Sequence, residues 1–385
     1  MRLLHTADWH LGRTLEGRSR LEEQQRILEE MIQIIEEEKI DAVLMAGDVF
    51  DSVNPPAAAE EMFYEAMARM SDNGRVPVIV IAGNHDHPER LAASRTLLRK
   101  HGIHLRGYPG IEPVVVPLSE ERLYVQTLPY PSESRLKQAF MEEATEIDLR
   151  DAYNQKVREI FQRLASSRRP EDILIGMSHL FIAGSDSTDS ERPIEVGGAY
   201  TVTADSLPEH AVYTALGHMH RPQDVRGAAG PARYSGSPLA YSFSEAGQQK
   251  SVTIIDTNDS QSEAQISTIP LTAGKPLSIW KAKNGLAELQ QWVEEQRDWN
   301  AWVEVDVYVE NQLSIEDIHA LRTKHTGLLT IRPVYSRQEL EPVESKKHIP
   351  IDQLFERFYE KQSGGAVPDP SVTNLFLELI QQEDG

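Results

Sequence analysis

The sequence predicts an α/β fold: a layered sandwich followed by a small α+β capping domain and a C-terminal helix–loop–helix. Three observations support this prediction. Continuous apolar strands alternate with amphipathic helices over the first 100 residues, as in sheets whose two faces are both covered. The composition changes at "LTAGKP", residues 271–276, and two short apolar stripes of helical spacing end the chain. We therefore divide the chain into residues 1–272, 273–340 and 346–385.

The elements of the first 100 residues follow from their hydrophobic periodicity. "RLLHTA" predicts the first strand, and residues 20–39 have apolar side chains at the spacing of an amphipathic helix. "DAVLMAG" and "VPVIVIAG" predict two more buried strands, separated by a helix over residues 55–70 with prolines in its first turn. A further helix over residues 88–102 should end at Gly102, because glycine readily adopts the left-handed conformation found after helices.

Later strands are predicted by further apolar runs, at residues 112–117, 122–128, 172–178, 211–216 and 250–256. Residues 277–335 then read as strand, helix, strand, helix and strand. Four of the five tryptophans lie in this short part: Trp280, Trp292, Trp299 and Trp302. They predict the core of a small domain. The alternative is that one of them stacks on a nucleic-acid base.

The last forty residues predict two amphipathic helices joined by a loop that contains glycines and prolines. The first stripe consists of Ile351, Leu354, Phe355, Phe358 and Tyr359, and the second of Val372, Leu375, Phe376, Leu379 and Ile380. One interpretation is a hairpin docked on its own chain. We favour a tail that docks in a groove of another protein, because it follows two complete domains.

Composition and charge exclude several classes of protein. The net charge of −21 argues against DNA binding by bulk electrostatics, although a local basic groove is compatible with it. Because the chain has no cysteine, disulfides, thiolate metal sites and cysteine nucleophiles are excluded. No window reaches the roughly 18 apolar residues that a membrane span needs. The N-terminus also lacks a signal-peptide pattern. We expect a cytoplasmic protein that does not associate with membranes.

Polar side chains follow five of the predicted strands, and the carboxyl ends of parallel strands meet at one edge of a sheet. Each residue alone is more typical of a turn or of a structural histidine. Together they offer mixed oxygen and nitrogen ligands, which suit two divalent cations with one carboxylate bridging them. The candidate ligands are Asp8, His10, Asp48, Asn84, His179, His218 and His220.

In their order, "DWH", "GDVFD", "GNHD", "SH" and "GHMH" resemble the motifs of the metallophosphoesterase superfamily. The longer stretches "LLHTADWHLG", "LMAGDVFDSVNPP", "VIAGNHDHPERL" and "TALGHMHRPQ" are similar to the SbcD family of nuclease subunits. This resemblance implies two metal ions, most commonly Mn²⁺. It implies a first ion held by Asp8, His10 and His220. It implies a second held by Asn84, His179 and His218, with Asp48 bridging the two.

The resemblance also implies a catalytic role for His85, which would contact the scissile phosphate or protonate the leaving oxygen. Histidine suits a general acid because it exchanges protons near neutral pH. Archaeal and eukaryotic relatives carry a histidine where this chain has Asp51, so a second catalytic imidazole is absent at that position. Asp51 is expected to hydrogen-bond either His85 or a ligand. We assign no role to His87, and His5 is interpreted as structural, because its strand parity differs from that of the ligands.

SbcD-like proteins are double-strand exonucleases and endonucleases on hairpins and single strands, in DNA end processing, repair and recombination. The resemblance therefore implies DNA as substrate and an SbcC-like coiled-coil ATPase as partner, docked through residues 350–382. It also implies a homodimer within a heterotetramer, with residues 57–70 and 89–100 as candidate interface. Five arginines near the motifs are candidate phosphate contacts or ordinary surface residues: Arg13, Arg18, Arg20, Arg90 and Arg95.

The sequence is also compatible with two other functions. A stand-alone dinuclear phosphoesterase acting on a small phosphodiester or a phosphoprotein would use the same ligands, but it has no evident need for the capping domain and the tail. A DNA-end scaffold without activity would not need the complete ligand set.

Overall fold

The computed structural model describes residues 1–110, 112–118, 121–131, 146–191, 201–257, 264–310 and 312–335, with scattered residues between 353 and 376. The chain forms two compact units. One comprises Met1–Tyr308 and Gln312–Pro333, and the other comprises Val309–Asn311 and Val334–Gly385.

The strands in chain order are β1 (Arg2–Thr6), β2 (Thr14–Leu15), β3 (Arg18–Ser19), β4 (Ala42–Ala46), β5 (Val78–Ile81), β6 (Ile103–Arg106), β7 (Val114–Leu118), β8 (Glu121–Leu128), β9 (Ile173–His179), β10 (Tyr213–Gly217), β11 (Gln223–Asp224), β12 (Ala232–Tyr234), β13 (Ser251–Asp256), β14 (Gln265–Pro270), β15 (Leu277–Ala282), β16 (Trp302–Val309) and β17 (Leu328–Tyr335). The α-helices are α1 (Leu21–Glu37), α2 (Ala57–Ser71), α3 (Pro88–Ala92), α4 (Arg95–Leu98), α5 (Glu146–Leu164), α6 (Leu286–Glu294) and α7 (Ile315–Lys324).

Two six-stranded sheets form the centre of the first unit. Their strand orders are β14-β13-β1-β4-β5-β6 and β11-β12-β10-β9-β8-β7. Strands β1, β4, β5 and β6 run parallel, as do β8, β9, β10 and β12. The carboxyl ends of the parallel strands therefore lie together at one edge of each sheet, which is where an α/β fold places its functional groups.

Alternating side chains build three layers of core around these sheets, because neighbouring residues of a strand face opposite sides. Leu3 of β1 and Ile175 of β9 belong to the core between the two sheets. Leu4, the next residue, belongs to the core on the outer face of the first sheet together with Ile27 of α1. Helix α5 contributes Val157 to a third core, on the outer face of the second sheet. The predicted layered α/β fold is confirmed.

The predicted strands match the observed ones to within two residues at each end. The prediction of one continuous helix over residues 88–102 was wrong, because the chain there forms α3, α4 and a 3₁₀ turn over Arg99–His101. Ser94 separates α3 from α4 with φ −88° and ψ 2°, and its hydroxyl lies 3.3 Å from that of Tyr64. Serine is also a weaker helix former than alanine or leucine. Gly102 ends the turn with φ 73°, as predicted.

Strands β15, β16 and β17 form a separate three-stranded sheet, with α6 and α7 between them in sequence. Trp280 of β15 is buried, and its ring meets that of Trp292 edge-on at 5.7 Å. Trp299 is 72% exposed, so the prediction of a core position was wrong for this residue. It lies in the loop after α6, where Gln296 and Asp298 adopt positive φ angles.

A buried ion pair joins the three-stranded sheet to the sandwich. The Arg20 guanidinium donates to both carboxylate oxygens of Glu23, at 2.6 and 2.9 Å. The Trp302 indole and the Lys275 amide donate to the same carboxylate, each at 2.8 Å. Arg20 is 1% exposed, so the expectation that it contacts phosphate was wrong, because its charge is already satisfied inside the protein.

In the second unit, the ring of Phe355 stacks on that of Phe376 with centroids 4.1 Å apart. Both residues belong to the predicted amphipathic stripes. Much of the expected docking region, residues 350–382, lies outside the described residues. Within the part of the chain that the structure describes, no helix is both long and apolar enough to cross a membrane.

Candidate metal centre

The turns that leave β1, β4 and β10 are strained at the positions of candidate ligands. Asp8, His10, Asp48 and His218 have φ angles of 56°, 44°, 52° and 106°. This left-handed region is uncommon for residues other than glycine and costs about 1–3 kcal/mol per residue. Backbone hydrogen bonds fix two of these turns, since the Asp8 and His10 amides donate to the carbonyls of Gly47 and Asp48, each at 3.0 Å. Strain of this kind typically accompanies function.

The first group of converging side chains consists of Asp8, His10 and His220, whose ligand atoms all lie within 4.8 Å of one another. All three residues are at most 1% exposed. The Nε2 atoms of His10 and His220 face each other at 3.0 Å. Two nitrogens that share one cation at about 2.1 Å would have a similar separation.

The second group consists of Asp48, His179 and His218. Asn84 joins it, because its Oδ1 lies 2.9 Å from Nε2 of His179 and 3.1 Å from Nδ1 of His218. Asp48 Oδ2 lies 3.5 Å from His179 Nε2 and 3.6 Å from Nε2 of His10, which belongs to the first group. The Asp48 carboxylate therefore lies between the two groups.

Three histidines of the two groups are in the neutral state that binds a metal ion. Burial lowers the pKa of His10 to about 3 and also lowers the pKa values of His218 and His220. These three imidazoles are therefore neutral, so each has a nitrogen lone pair that can bind a metal ion.

The hydrogen bonds of His179 also favour a cation at this position. Its Nδ1 lies 2.9 Å from the Ala46 carbonyl and must donate there, so its Nε2 faces the oxygens of Asn84 and Asp48. A lone pair directed at oxygen atoms is repelled unless a proton or a metal ion lies between them. Burial opposes protonation, but the charges of Asp48 and Asp8 raise the pKa of His179 to about 9.

His85 and Asp51 lie beside the first group. Nδ1 of His85 donates to the Asp51 carbonyl at 2.7 Å, and the His85 amide donates to Asp48 Oδ1 at 2.9 Å. The Asp51 carboxylate is nearer to His10, with Oδ1 at 3.5 Å from Nδ1, than to His85, at 4.0 Å. The sequence left open whether Asp51 contacts His85 or a ligand. In the structure, its backbone carbonyl binds His85 and its side chain approaches the candidate ligand His10.

A chain of three buried side chains supports His220. Ser190 Oγ lies 2.6 Å from His220 Nδ1 and donates to Glu245 at 2.7 Å, and Glu245 is ion-paired with Lys250. Sequence reasoning missed these residues because they come from loops without periodicity. The spacing of Ser242 and Glu245 matches a capping box, which the structure contains, but that signal predicts a helix start rather than support for a histidine.

The sequence analysis also did not identify Asp86 and Gln24, which hold the loops that carry candidate ligands. The Asp86 carboxylate accepts the amides of Val49, Phe50 and Gly83 at 3.1, 3.0 and 2.8 Å, and so ties two motif loops together. Burial and the charge of Asp48 raise the pKa of Asp86 to about 6.

Gln24 of α1 holds the loop that carries His10. Its side chain donates to the His10 carbonyl at 2.8 Å and accepts from the Gly12 amide at 3.0 Å. Glycine is required at position 83 of the neighbouring loop, since a Cβ there would lie 2.1 Å from Asp48 Oδ1.

Four other residues considered in the sequence analysis lie apart from the two groups or have partners of their own. His5 is buried between the sheets with Nδ1 2.9 Å from the Tyr213 hydroxyl, and burial lowers its pKa to about 3. His87 caps α3 by accepting from the Arg90 amide at 3.4 Å. The Arg90 side chain pairs with Glu60 at 2.8 Å. Arg13 donates to the Ser190 carbonyl at 2.8 Å.

Two family models match this chain. Residues 1–222 match the calcineurin-like phosphoesterase family, and residues 274–363 match the model described as the Type 5 capsule protein repressor C-terminal domain. The first match covers more than half of the chain and includes all seven candidate ligands.

Curated relatives agree with these matches. The chain is 54% identical over 391 aligned positions to the SbcD subunit of the SbcCD nuclease from Bacillus subtilis, and the alignment covers 100% of both chains. It is 38% identical to the protein of that name from Rhodobacter capsulatus, with 66% of each chain covered. For the Staphylococcus epidermidis protein, the identity is 32%, with 68% of this chain and 67% of the relative covered. The chain belongs to the calcineurin-like phosphoesterases and, within them, to the SbcD family.

Proposed function

We propose that this chain is the nuclease subunit of an SbcCD-type complex, a metal-dependent phosphodiesterase that cleaves DNA. Its activities would be double-strand exonuclease and hairpin or single-strand endonuclease, serving DNA end processing, repair and recombination. The observation that carries the proposal is the convergence of two buried ligand groups with Asp48 between them. The identity of 54% over the full length to a nuclease subunit supports DNA rather than a small phosphodiester as substrate.

In this proposal, Asp8, His10 and His220 hold one divalent cation, and Asn84, His179 and His218 hold the other. Asp48 would bridge them, and the mixed nitrogen and oxygen donors suit Mn²⁺. When bound, two such cations supply Lewis-acid stabilisation of the negative charge that develops on a phosphodiester during in-line displacement.

His85 is proposed to transfer a proton to the leaving oxygen. Because Nδ1 of His85 donates to the Asp51 carbonyl, the ring is fixed in orientation, and its Nε2 remains for proton exchange with a substrate. The His85 amide donates to Asp48, so the loop that positions the acid is attached to the bridging carboxylate. The ring is 7% exposed and shielded from bulk water, which strengthens its electrostatic interactions.

The proposals of an ATPase partner and of a homodimer are supported by exposed apolar side chains and by membership of the SbcD family. In the second unit, Leu354 is 37% exposed and Leu375 is 56% exposed, which suits helices that dock on an SbcC-like coiled-coil ATPase. Leu97 of α4 is 67% exposed within the candidate dimer segment, residues 89–100. Deleting the chain after residue 345 should abolish co-purification of the ATPase while metal binding is retained. A cytoplasmic location stays a prediction that cell fractionation would test.

The test is a nuclease assay of the full chain with Mn²⁺, with and without the candidate ATPase, on linear duplex and hairpin DNA. We expect cleavage that disappears in Asp48→Ala. The small diester bis(4-nitrophenyl) phosphate serves as the comparison substrate. Hydrolysis of this diester without cleavage of any DNA, alone or with the ATPase, would instead favour a stand-alone phosphoesterase.

A further inference from the structure

A cavity of about 270 Å³ lies between α5 and the second sheet. One side is formed by the second half of α5 with the turn that follows it, and the other by residues 206–210. Leu174 of β9 lines the cavity, whereas the candidate ligand His179 lies five residues further along and ends the same strand. At about 3.3 Å per residue, roughly 16 Å of strand separate the two. The cavity is therefore distinct from the candidate metal centre.

The lining of this cavity combines buried apolar side chains with positive charge. Phe161 and Leu207 are buried and supply apolar surface. Arg158 and Arg168 are half-buried, and the described residues of the lining contain one carboxylate, Glu209. Ligand sites in proteins have this composition, with mostly apolar walls and a few polar groups that fix the orientation of the ligand. The arginines indicate that the ligand is an anion.

Two buried polar atoms of the lining have no hydrogen-bond partner in the part of the chain that the structure describes: Oε1 of Gln126 and Nε of Arg168. Gln126 is 1% exposed. Its Nε2 donates to the Phe161 carbonyl at 2.6 Å, which fixes the orientation of the amide and leaves Oε1 unsatisfied. A buried polar atom without a partner is unfavourable. A molecule that donates to Gln126 and accepts from Arg168 would satisfy both atoms.

The loop that forms one side of the cavity is fixed to the sheet and to α5. Pro208 packs closely on β9, since a Cβ at Gly176 would lie 2.9 Å from Cγ of Pro208. Ser206 Oγ donates to Oδ1 of Asn154, a residue of α5, at 3.2 Å. Because both sides of the cavity are held by these contacts, it is a preformed feature of the fold, as ligand sites usually are.

Arg158 is available to an anion in spite of its present partners. It donates to Asp205 at 3.0 Å and to Gln155 at 3.3 Å. The Arg158 and Asp205 side chains are 33% and 68% exposed, and ion pairs this exposed contribute little to stability. Arg158 lies three residues before Phe161 and therefore shares its helix face. A doubly charged group in the cavity would attract Arg158 as well as Arg168.

We propose that this cavity binds a nucleoside monophosphate, with its base against Phe161 and its phosphate at Arg158 and Arg168. An exocyclic amine of the base supplies the donor that Gln126 Oε1 lacks, and phosphate oxygens supply the acceptor that Arg168 Nε lacks. The flat base suits the apolar lining. The choice of a nucleotide among aromatic anions rests on the proposed nuclease function, because an exonuclease releases mononucleotides where it acts.

The test is isothermal titration calorimetry of dAMP into the full chain in EDTA, which keeps divalent cations from attracting the phosphate to the candidate metal centre. Arg168→Gln removes a guanidinium from the lining, and Arg163→Gln removes one from the exposed surface of α5 as the matched control. Ala165→Leu fills the cavity with a larger side chain, and Ser166→Leu adds the same side chain at an exposed neighbour. Melting temperatures show that each variant is folded.

We expect one dAMP to bind per chain. The affinity should fall about tenfold or more in Arg168→Gln, which is the usual effect of losing a hydrogen bond to a charged group. Arg168→Lys should recover part of it, because lysine also binds phosphate. Ala165→Leu should abolish binding, while both control variants bind as the wild type does. Deoxyadenosine and inorganic phosphate, which each carry only part of the ligand, should bind more weakly than dAMP.

Binding of dAMP that neither Arg168→Gln nor Ala165→Leu changes would overturn the proposal, as would the absence of binding at about 1 mM dAMP. A single strand with a 5′ phosphate carries the same end group. If it competed with dAMP at equal affinity, the occupant would be a strand end and the mononucleotide would be refuted. Failure of dAMP to bind in a chain that cleaves DNA leaves the nuclease proposal intact. A chain that binds dAMP but cleaves no DNA, alone or with the ATPase, would refute the nuclease proposal and leave the nucleotide site.

Discussion

The Ser190 hydroxyl lies between His220 and Glu245, 2.6 Å from Nδ1 of the imidazole and 2.7 Å from Oε1 of the carboxylate. Burial acts to raise the pKa of Glu245, but His220 and Lys250 lower it far below its usual value, so the carboxylate is charged. Ser190 therefore donates to Glu245 and accepts from Nδ1–H of His220. This arrangement leaves the His220 Nε2 lone pair directed at the candidate metal site.

Ser190→Ala should lower the affinity for Mn²⁺ by about 10–100-fold, the usual effect of removing the partner of a metal-binding histidine. The reason is that His220 loses the acceptor that fixes its tautomer. Isothermal titration calorimetry measures this, with melting temperatures to show that the fold is intact. Ser190→Thr keeps a hydroxyl and should retain most of the affinity. Wild-type affinity in the alanine variant would rule out this role for Ser190.

His85→Asn should bind metal with the wild-type stoichiometry but lose about 10²–10⁴-fold in turnover, which is the usual contribution of a general acid. The neighbouring variant His87→Asn is the control, because His87 only caps α3. It should cleave DNA at nearly the wild-type rate. Normal turnover of His85→Asn with metal bound would remove His85 from the mechanism.

Glu23→Gln should destabilise the chain by about 3–5 kcal/mol, because it leaves the Arg20 guanidinium buried without its counter-charge. Trp302→Phe removes one hydrogen bond to the same carboxylate and should cost about 1 kcal/mol. Urea unfolding measures both values. The exposed neighbour Glu22→Gln should change stability by less than about 0.5 kcal/mol. If Glu23→Gln is as stable as Glu22→Gln, the buried ion pair does not stabilise the fold.

His5 should make the protein acid-labile. Its pKa is about 3 in the folded chain against 6.5 for the free side chain, so unfolding takes up a proton below pH 6.5. The stabilising effect is complete above pH 6.5 and is lost as the pH falls toward 3. At pH 5 the wild type should have lost ~2 kcal/mol more of its unfolding free energy than His5→Gln, relative to pH 7.5. Denaturant unfolding in EDTA measures this, and parallel pH profiles would contradict it.

The layered fold and the converging strand ends could be predicted from the sequence because both follow from local periodicity. Buried strands such as β4 and β5 are continuous apolar runs, and the polar residues that follow them must meet at a parallel edge. Asp8 and His10 illustrate a limit of this reasoning. They are two residues apart, a spacing that on a strand would give their side chains a shared direction. Both, however, lie beyond β1 in left-handed turns. Their convergence therefore depends on backbone strain that periodicity does not reveal.

The residues that hold the candidate ligands in place could not be predicted, because they lie in loops and contact residues that are distant in sequence. Ser190 and Lys250 are 60 positions apart, yet both contact Glu245. The burial of Arg20 was equally hidden, since a charged residue before a helix normally faces solvent. The exposure of Trp299 shows the reverse error, where an apolar residue type was assigned to the core without regard to its loop position.

The measurement that tests the central claim most directly is anomalous diffraction from crystals of the full chain grown with Mn²⁺. We predict two anomalous peaks about 3.5–4 Å apart, with the Asp48 carboxylate bridging them. One ion should contact Asp8, His10 and His220, and the other Asn84, His179 and His218. A single peak, or none among these side chains, would contradict the dinuclear centre.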